Sequence, residues 1–125
     1  MGCPFCNVNK AKILLENDSF EAINDARPVK PGHLLIITKR HAETVFDLST
    51  DEFSQLHAII HLAKSYLETH YAPDGYNLGM NCGRVAGQSI PHFHLHLIPR
   101  YKDENRIGFK HKVSGKIREY LNEIL

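Results

Sequence analysis

His92-Phe93-His94-Leu95-His96-Leu97-Ile98 decides how this chain folds. Imidazole and hydrocarbon alternate through it. Side chains on a strand point to opposite faces in turn, so the three histidines share one face and Phe93, Leu95 and Leu97 the other. The hydrocarbon face needs a core behind it. The imidazole face is presented toward something polar. The reading is a strand over 92–98, stopped by Pro99.

Working outward, Gly83 to Ser89 is a loop with two glycines, and Tyr76 to Asn81 reads as another strand. Before it, Ser49 followed by Glu52 is a capping-box pattern that opens a helix. Phe53, Leu56, Ile59, Ile60, Ala63, Tyr66 and Leu67 recur at helical spacing and form its apolar face. The helix ends before Pro73-Asp74-Gly75 and spans roughly 30 Å. His33 to Thr38 is a β-branched apolar run that reads as a strand covered on both faces. Lys12 to Glu16 and Ser19 to Asn24 read as two short strands around Asn17 and Asp18. Ile117, Tyr120, Leu121 and Ile124 mark a short C-terminal helix over 113–125. Strands, one long helix, strands and a short helix predict an α+β domain with a five-stranded, mostly antiparallel sheet.

Composition narrows the function classes. The chain has 125 residues, 42% hydrophobic and 23% charged, with net charge +1. One domain over 1–125 is expected, without disorder. So even a charge balance gives no footprint for duplex nucleic acid, so no nucleic-acid partner is expected. No apolar run spans a bilayer, no signal-peptide core is visible, and Cys6 stands where a myristoylation signal needs Ser or Thr. Three cysteines argue against a secreted disulfide framework, which makes a cytoplasmic location the expectation.

The histidine face has three readings. A merely His-rich surface strand fits strict alternation poorly. A three-histidine metal centre is opposed by geometry: His92 and His96 lie about 13 Å apart along a strand, while nitrogens on one zinc lie about 3.5 Å apart. The third is nucleophilic chemistry at phosphorus. A neutral imidazole can attack if its other nitrogen is held by an acceptor, and a neighbouring imidazole can protonate the departing group. The adjoining loop supplies oxyanion donors: backbone N–H groups at Gly87 and the Ser89 hydroxyl.

Gln88-Ser89-Ile90-Pro91 followed by the alternating strand resembles the signature of the histidine triad (HIT) superfamily of nucleotide hydrolases and transferases. The resemblance extends through Asp25, Pro31-Gly32-His33, Lys39-Arg40-His41, the long helix, Asn81, Gly87-Gln88-Ser89 and Pro99-Arg100-Tyr101. It implies a HIT-like fold and a homodimer joined through the two sheets. It implies His94 as the nucleophile that forms a nucleotidyl-histidine intermediate, with His96 near the leaving-group oxygen. It implies Asn81, Gly87 and Ser89 around the α-phosphate, Gln88 among the substrate-binding residues, Asp25 or Asn24 at the ribose hydroxyls, and His33 in support. The galactose-1-phosphate uridylyltransferase branch carries Gln at the last triad position, so His96 favours hydrolysis over transfer.

Cys3-Pro4-Phe5-Cys6, within the N-terminal turn over 1–10, reads as a zinc half-site or, as a rival, a thioredoxin-like redox pair. Spacing does not find the remaining ligands. The resemblance to a bacterial-type HIT subset does: it implies a structural zinc held by Cys3, Cys6, His41 and His92. A divalent cation accompanying substrate phosphates is compatible with the same chemistry.

Other residues have bland readings. His57 and His61 are helix-surface residues without a His-Glu-x-x-His pattern. His70 and His111 have no visible partner, and Cys82 reads as a packed thiol. Arg100, Lys102 and Arg106 form a basic edge that either meets solvent or reaches distal phosphates. Phe20 and Ile23 read as core, with a base pocket as the alternative. The function expected is hydrolysis at the α-phosphate of dinucleoside polyphosphates or nucleoside phosphoramidates. The alternatives are a nucleotide-binding or partner-binding module with little turnover, and a zinc-centred activity on the histidine strand.

Overall fold

Asn17 starts the sheet. Its Oδ1 accepts from the backbone N–H groups of Ser19 (3.1 Å) and Phe20 (3.0 Å). That local bond turns the chain between β1 (Ile13–Glu16) and β2 (Phe20–Asn24), which pair antiparallel. The computed structural model describes residues 2–103. The helix expected over 113–125, together with Arg106 and His111, lies outside them.

β3 (Leu34–Thr38), β4 (Gly75–Gly79) and β5 (His94–Arg100) complete a five-stranded sheet in the order β1-β2-β3-β5-β4, antiparallel throughout. All five residues of β3 are buried, as its apolar run predicts. The central pair sets Ile37 opposite His94 and Leu35 opposite His96. Opposed residues share a face, so the histidine face is not purely polar. Its imidazoles stand among aliphatic side chains.

α1 (Thr50–His70) begins as the capping box predicts. Ser49 Oγ accepts from Glu52 N–H (3.1 Å), and Glu52 Oε1 accepts from Ser49 N–H (2.8 Å). Arg40 donates to both Glu52 carboxylate oxygens (2.6 and 2.8 Å). These bonds, Arg40 first, hold the Glu52 carboxyl down at about 2. Leu56, Ile59, Ala63 and Leu67 pack on Phe20, Ala22, Leu34, Ile36, Phe93, Leu95 and Leu97 as one core. Phe53 departs from the expected stripe: it is 58% exposed, because it lies in the first turn, at the rim of the core.

The strand limits also differ. The 92–98 strand is observed as His94–Arg100, and the 76–81 strand as Gly75–Gly79. Pro99 does not stop its strand. Arg100 C=O accepts from Asp74 N–H on the β4 side (2.9 Å), so Pro99's backbone faces the β3 side. The β3 pairing has ended there at Leu34↔Leu97, and the missing N–H disrupts no ladder.

Gly32 shows how tightly the helix end meets the sheet. Its φ is +90°, and a Cβ there would sit 3.1 Å from Leu67 and Tyr71 side-chain carbons and 3.2 Å from Pro99. Only glycine combines that backbone with that space. Among the described residues, no helix is long and apolar enough to cross a membrane.

Candidate active site

The sheet face opposite α1 holds two groups of polar side chains. In the first, Cys6 Sγ lies 3.1 Å from His41 Nδ1, while His92 Nδ1 lies 3.3 Å from Cys3 Sγ and 3.5 Å from Cys6 Sγ. All four ligand atoms lie within 4.8 Å of one another, a set that can hold one metal ion. Tetrahedral zinc, with bonds of about 2.3 Å to sulfur and about 2.0–2.1 Å to nitrogen, needs ligand separations of this size. His92 Nε2 donates to the Thr38 carbonyl (2.8 Å), which keeps its proton off Nδ1 and leaves that nitrogen's lone pair for the metal. Burial acts the same way, pushing His92 toward the neutral form. The residues therefore fit the metal.

The second group, Asp25, His33 and His96, also lies within 4.8 Å. Hydrogen bonding opposes a metal here. Val29 N–H donates to His33 Nδ1 (3.0 Å), so the His33 proton is on Nε2. That N–H is directed at His96 Nδ1 (3.0 Å) and Asp25 Oδ2 (3.3 Å). His96 must then accept at Nδ1 and carry its own proton on Nε2. A metal would have to displace the His33 proton.

His94 has the opposite tautomer. Its Nδ1 lies 2.8 Å from the His92 carbonyl and donates to it, leaving Nε2 with a free lone pair. Its ring is 5.5 Å from that of His96. Burial is the main cause that lowers the pKa of His33, His94 and His96, and His96 falls to about 3, with His33 and His94 nearby adding to the shift. All three are neutral at pH 7.

A cavity of about 450 Å³ opens beside them. Asn24, Asp25, Asn81, Gly87, Ser89 and His96 are among the residues that line it. His94 is not on its wall; it stands next to His96, with the Phe5 ring 5.2 Å away. The Gln88 side chain is turned toward its own loop and is absent from the cavity wall. Its Oε1 accepts from Gly83 N–H (2.7 Å), and its Nε2 donates to the carbonyls of Glu43 (2.7 Å) and Ile90 (3.0 Å). The amide is fully engaged in holding the loop. Gly87, at φ +100°, ends the single helical turn Arg84–Ala86.

Several side chains were not singled out by sequence. Phe5, Lys12 and Arg27 line the cavity, and Thr38 and Val29 set the histidine tautomers. Only Phe5 carried a local signal, an aromatic ring enclosed by two metal-type cysteines. Ile23 lines the cavity, whereas Phe20 is core. Cys82 is half-buried, and Cys82 and Arg100 are both off the cavity wall. His57 and His61 are exposed, and no third ligand joins them among the described residues. His70 has a local partner, the Tyr66 carbonyl (2.8 Å).

The HIT domain family model matches residues 7–103. The chain belongs to the HIT family. This HIT protein is 37% identical over 97% of its length to an uncharacterised HIT-like protein of Mycoplasma genitalium, covering 87% of that protein. It is 34% identical over 86% of its length to the adenosine 5'-monophosphoramidase of Schizosaccharomyces pombe, covering 81% of it. With the bis(5'-adenosyl)-triphosphatase of Dictyostelium discoideum it shares 34% identity over 76% of its length and 64% of that enzyme. The crystal structure of a hypothetical histidine triad nucleotide-binding protein from Sulfolobus tokodaii superposes with a TM-score of 0.74 at 27% identity, over 98% of this chain and 93% of that one. The family thus includes nucleotide hydrolases, and the HIT fold is shared over nearly the whole chain.

Proposed function

We propose that this HIT protein hydrolyses nucleotides at the α-phosphate, on dinucleoside polyphosphates or nucleoside phosphoramidates. The observation that carries the reading is the His94 Nδ1 to His92 carbonyl bond, which leaves a neutral imidazole with its Nε2 lone pair free. The names of the Dictyostelium and Schizosaccharomyces relatives support the two substrate classes.

In this mechanism His94 Nε2 attacks the α-phosphorus and forms a P–N bond as the bond to the leaving group breaks. The anionic phosphates of bound substrate raise the proton affinity of His96, so that as an imidazolium it gives its Nε2 proton to the departing oxygen or nitrogen and is left neutral, with a proton on Nδ1 beside Asp25. The His92 carbonyl stabilises the positive charge that develops on the His94 ring. The Ser89 hydroxyl and the Asn81 amide surround the nonbridging oxygens, while Gly87, whose own N–H donates to the Arg84 carbonyl (3.0 Å), lets the phosphate approach the backbone closely. Water then attacks the same phosphorus, His96 takes its proton, and the nucleoside monophosphate leaves with His94 restored. Asp25 or Asn24 holds the ribose hydroxyls. A divalent cation on the substrate's own phosphates is compatible with this arrangement.

Cys3, Cys6, His41 and His92 would hold a structural zinc. With four protein ligands the ion is closed to substrate and supplies tertiary structure. The outer edge of β4, at the end of the sheet, with Leu78 39% exposed, supports a homodimer built by continuing the sheet.

The test is AMP release from diadenosine polyphosphates and adenosine phosphoramidate by wild type and His94→Ala, with mass spectrometry of quenched enzyme. A nucleotidyl adduct on the peptide containing His94, absent from the variant, is the expected result. Equal AMP release by both proteins overturns the reading.

A further inference from the structure

Phe5 joins two parts of the molecule that otherwise look independent. It lies between Cys3 and Cys6 in the N-terminal turn, which closes with Cys6 N–H donating to the Cys3 carbonyl (3.1 Å). Its ring stands 5.8 Å from the His92 ring, in a metal-type ligand set, and 5.2 Å from that of His94. Both contacts are edge-on, and the same ring lines the cavity. Residues 2–9 belong to no helix or strand, so no ladder holds this turn in place. The polar contacts that tie it to the segments flanking β3 and β5 are those from the two thiols to His41 and His92, and the Phe5 ring adds its own to His92 and His94.

The same ring is one of the groups around the half-buried His94. β5 places His94 opposite Ile37 on one side, and the Phe5 edge meets its imidazole from a segment outside the sheet. Removal of the turn would open the cavity wall and uncover His94 together. The ligand cluster thus reaches the cavity through one aromatic side chain.

We propose that the four-ligand metal centre acts on the nucleotide site through Phe5, a positioning residue: a closed turn sets the ring as a cavity wall and a cover over His94, and an open turn releases both. The proposal rests on the nucleotide reading for its ligand, but not for its geometry. Metal availability then tunes nucleotide affinity without metal taking part in the chemistry.

The experiment uses full-length protein loaded with zinc and measures three quantities. They are zinc per chain, AMP affinity by calorimetry, and the rate of His94 acylation by diethyl pyrocarbonate, read by peptide mass spectrometry with His57 and His61 as controls. Phe5→Ala is expected to keep its zinc, bind AMP about fivefold more weakly and expose His94 to acylation about fivefold faster, the scale of one lost aromatic edge contact. Phe5→Tyr is expected to behave as wild type. Zinc removal from wild type should reproduce both changes, and removal from Phe5→Ala should add little. Unchanged acylation in zinc-loaded Phe5→Ala overturns the proposal, as does a metal effect equally large with and without Phe5. If zinc removal abolishes the far-ultraviolet spectrum, the zinc-loaded comparison of Ala and Tyr decides alone. Absence of AMP binding by wild type would remove the nucleotide reading, while the acylation ratio still decides the coupling.

Discussion

His33 Nε2 lies 3.0 Å from His96 Nδ1, and this contact sets which nitrogen of His96 carries its proton. The order begins further back, where the Val29 N–H occupies His33 Nδ1. Replacement by His33→Leu removes the donor to His96 and leaves the buried Val29 N–H without its acceptor. The kcat for AMP release should fall about tenfold to a hundredfold with KM little changed, because proton delivery rather than binding is lost. Stability should fall by about 1–3 kcal/mol. Steady-state kinetics and urea denaturation check both, and an unchanged kcat would remove the assigned role of the pair.

Burial holds His96 neutral down to about 3, far below the ordinary value of about 6.5. His33 and His94 shift in the same direction. Below pH 6.5 the unfolded chain takes up protons that the folded one refuses. The stability these groups contribute is therefore fully present above about pH 6.5 and is lost progressively as pH falls toward 3. The urea midpoint should drop between pH 7 and pH 5, and His96→Asn should shrink that drop. Equal losses in the two proteins would contradict the shift.

Cys6→Ser removes a soft ligand from a set that needs four. Zinc content should fall well below one per chain. Wild type with zinc at a hundred times its dissociation constant should gain about 2.7 kcal/mol of stability over the stripped protein. The variant should gain much less. Metal analysis and thermal unfolding with and without chelator measure this directly.

Gln88 bridges Gly83, Glu43 and Ile90, so its truncation acts on the phosphate loop from behind. Gln88→Ala leaves one N–H and two carbonyls to find new partners. AMP affinity should weaken about tenfold, equivalent to about 1.4 kcal/mol. Zinc content should not change. Gln88→Glu should restore only the bond from Gly83 N–H, and calorimetry with AMP should rank it between wild type and Ala.

The structure upholds the elements whose signal was local. Ser49 and Glu52 cap the helix as their spacing predicts, and Phe93, Leu95 and Leu97 enter the core by alternation alone. Strand ends were less accurate. His92 belongs to the face that alternation assigns it but not to the strand, because β3 pairing begins at Ile37↔His94. Pro99 misled for a related reason: a proline stops a strand only where a neighbour needs its N–H.

The amino-acid order by itself determined the two faces of the histidine strand, the long capped helix and the half-site at Cys3 and Cys6. Those depend on periodicities and spacings within a few residues. Tertiary structure set Cys3 beside His92, 89 positions away, a meeting the family resemblance implies but no spacing shows; it alone decided that His33 Nε2 reaches His96 Nδ1 across 63 and that Gln88 turns to Glu43 across 45. Each is a partnership across distant segments, which no local spacing encodes and which only the assembled fold brings within 3.5 Å.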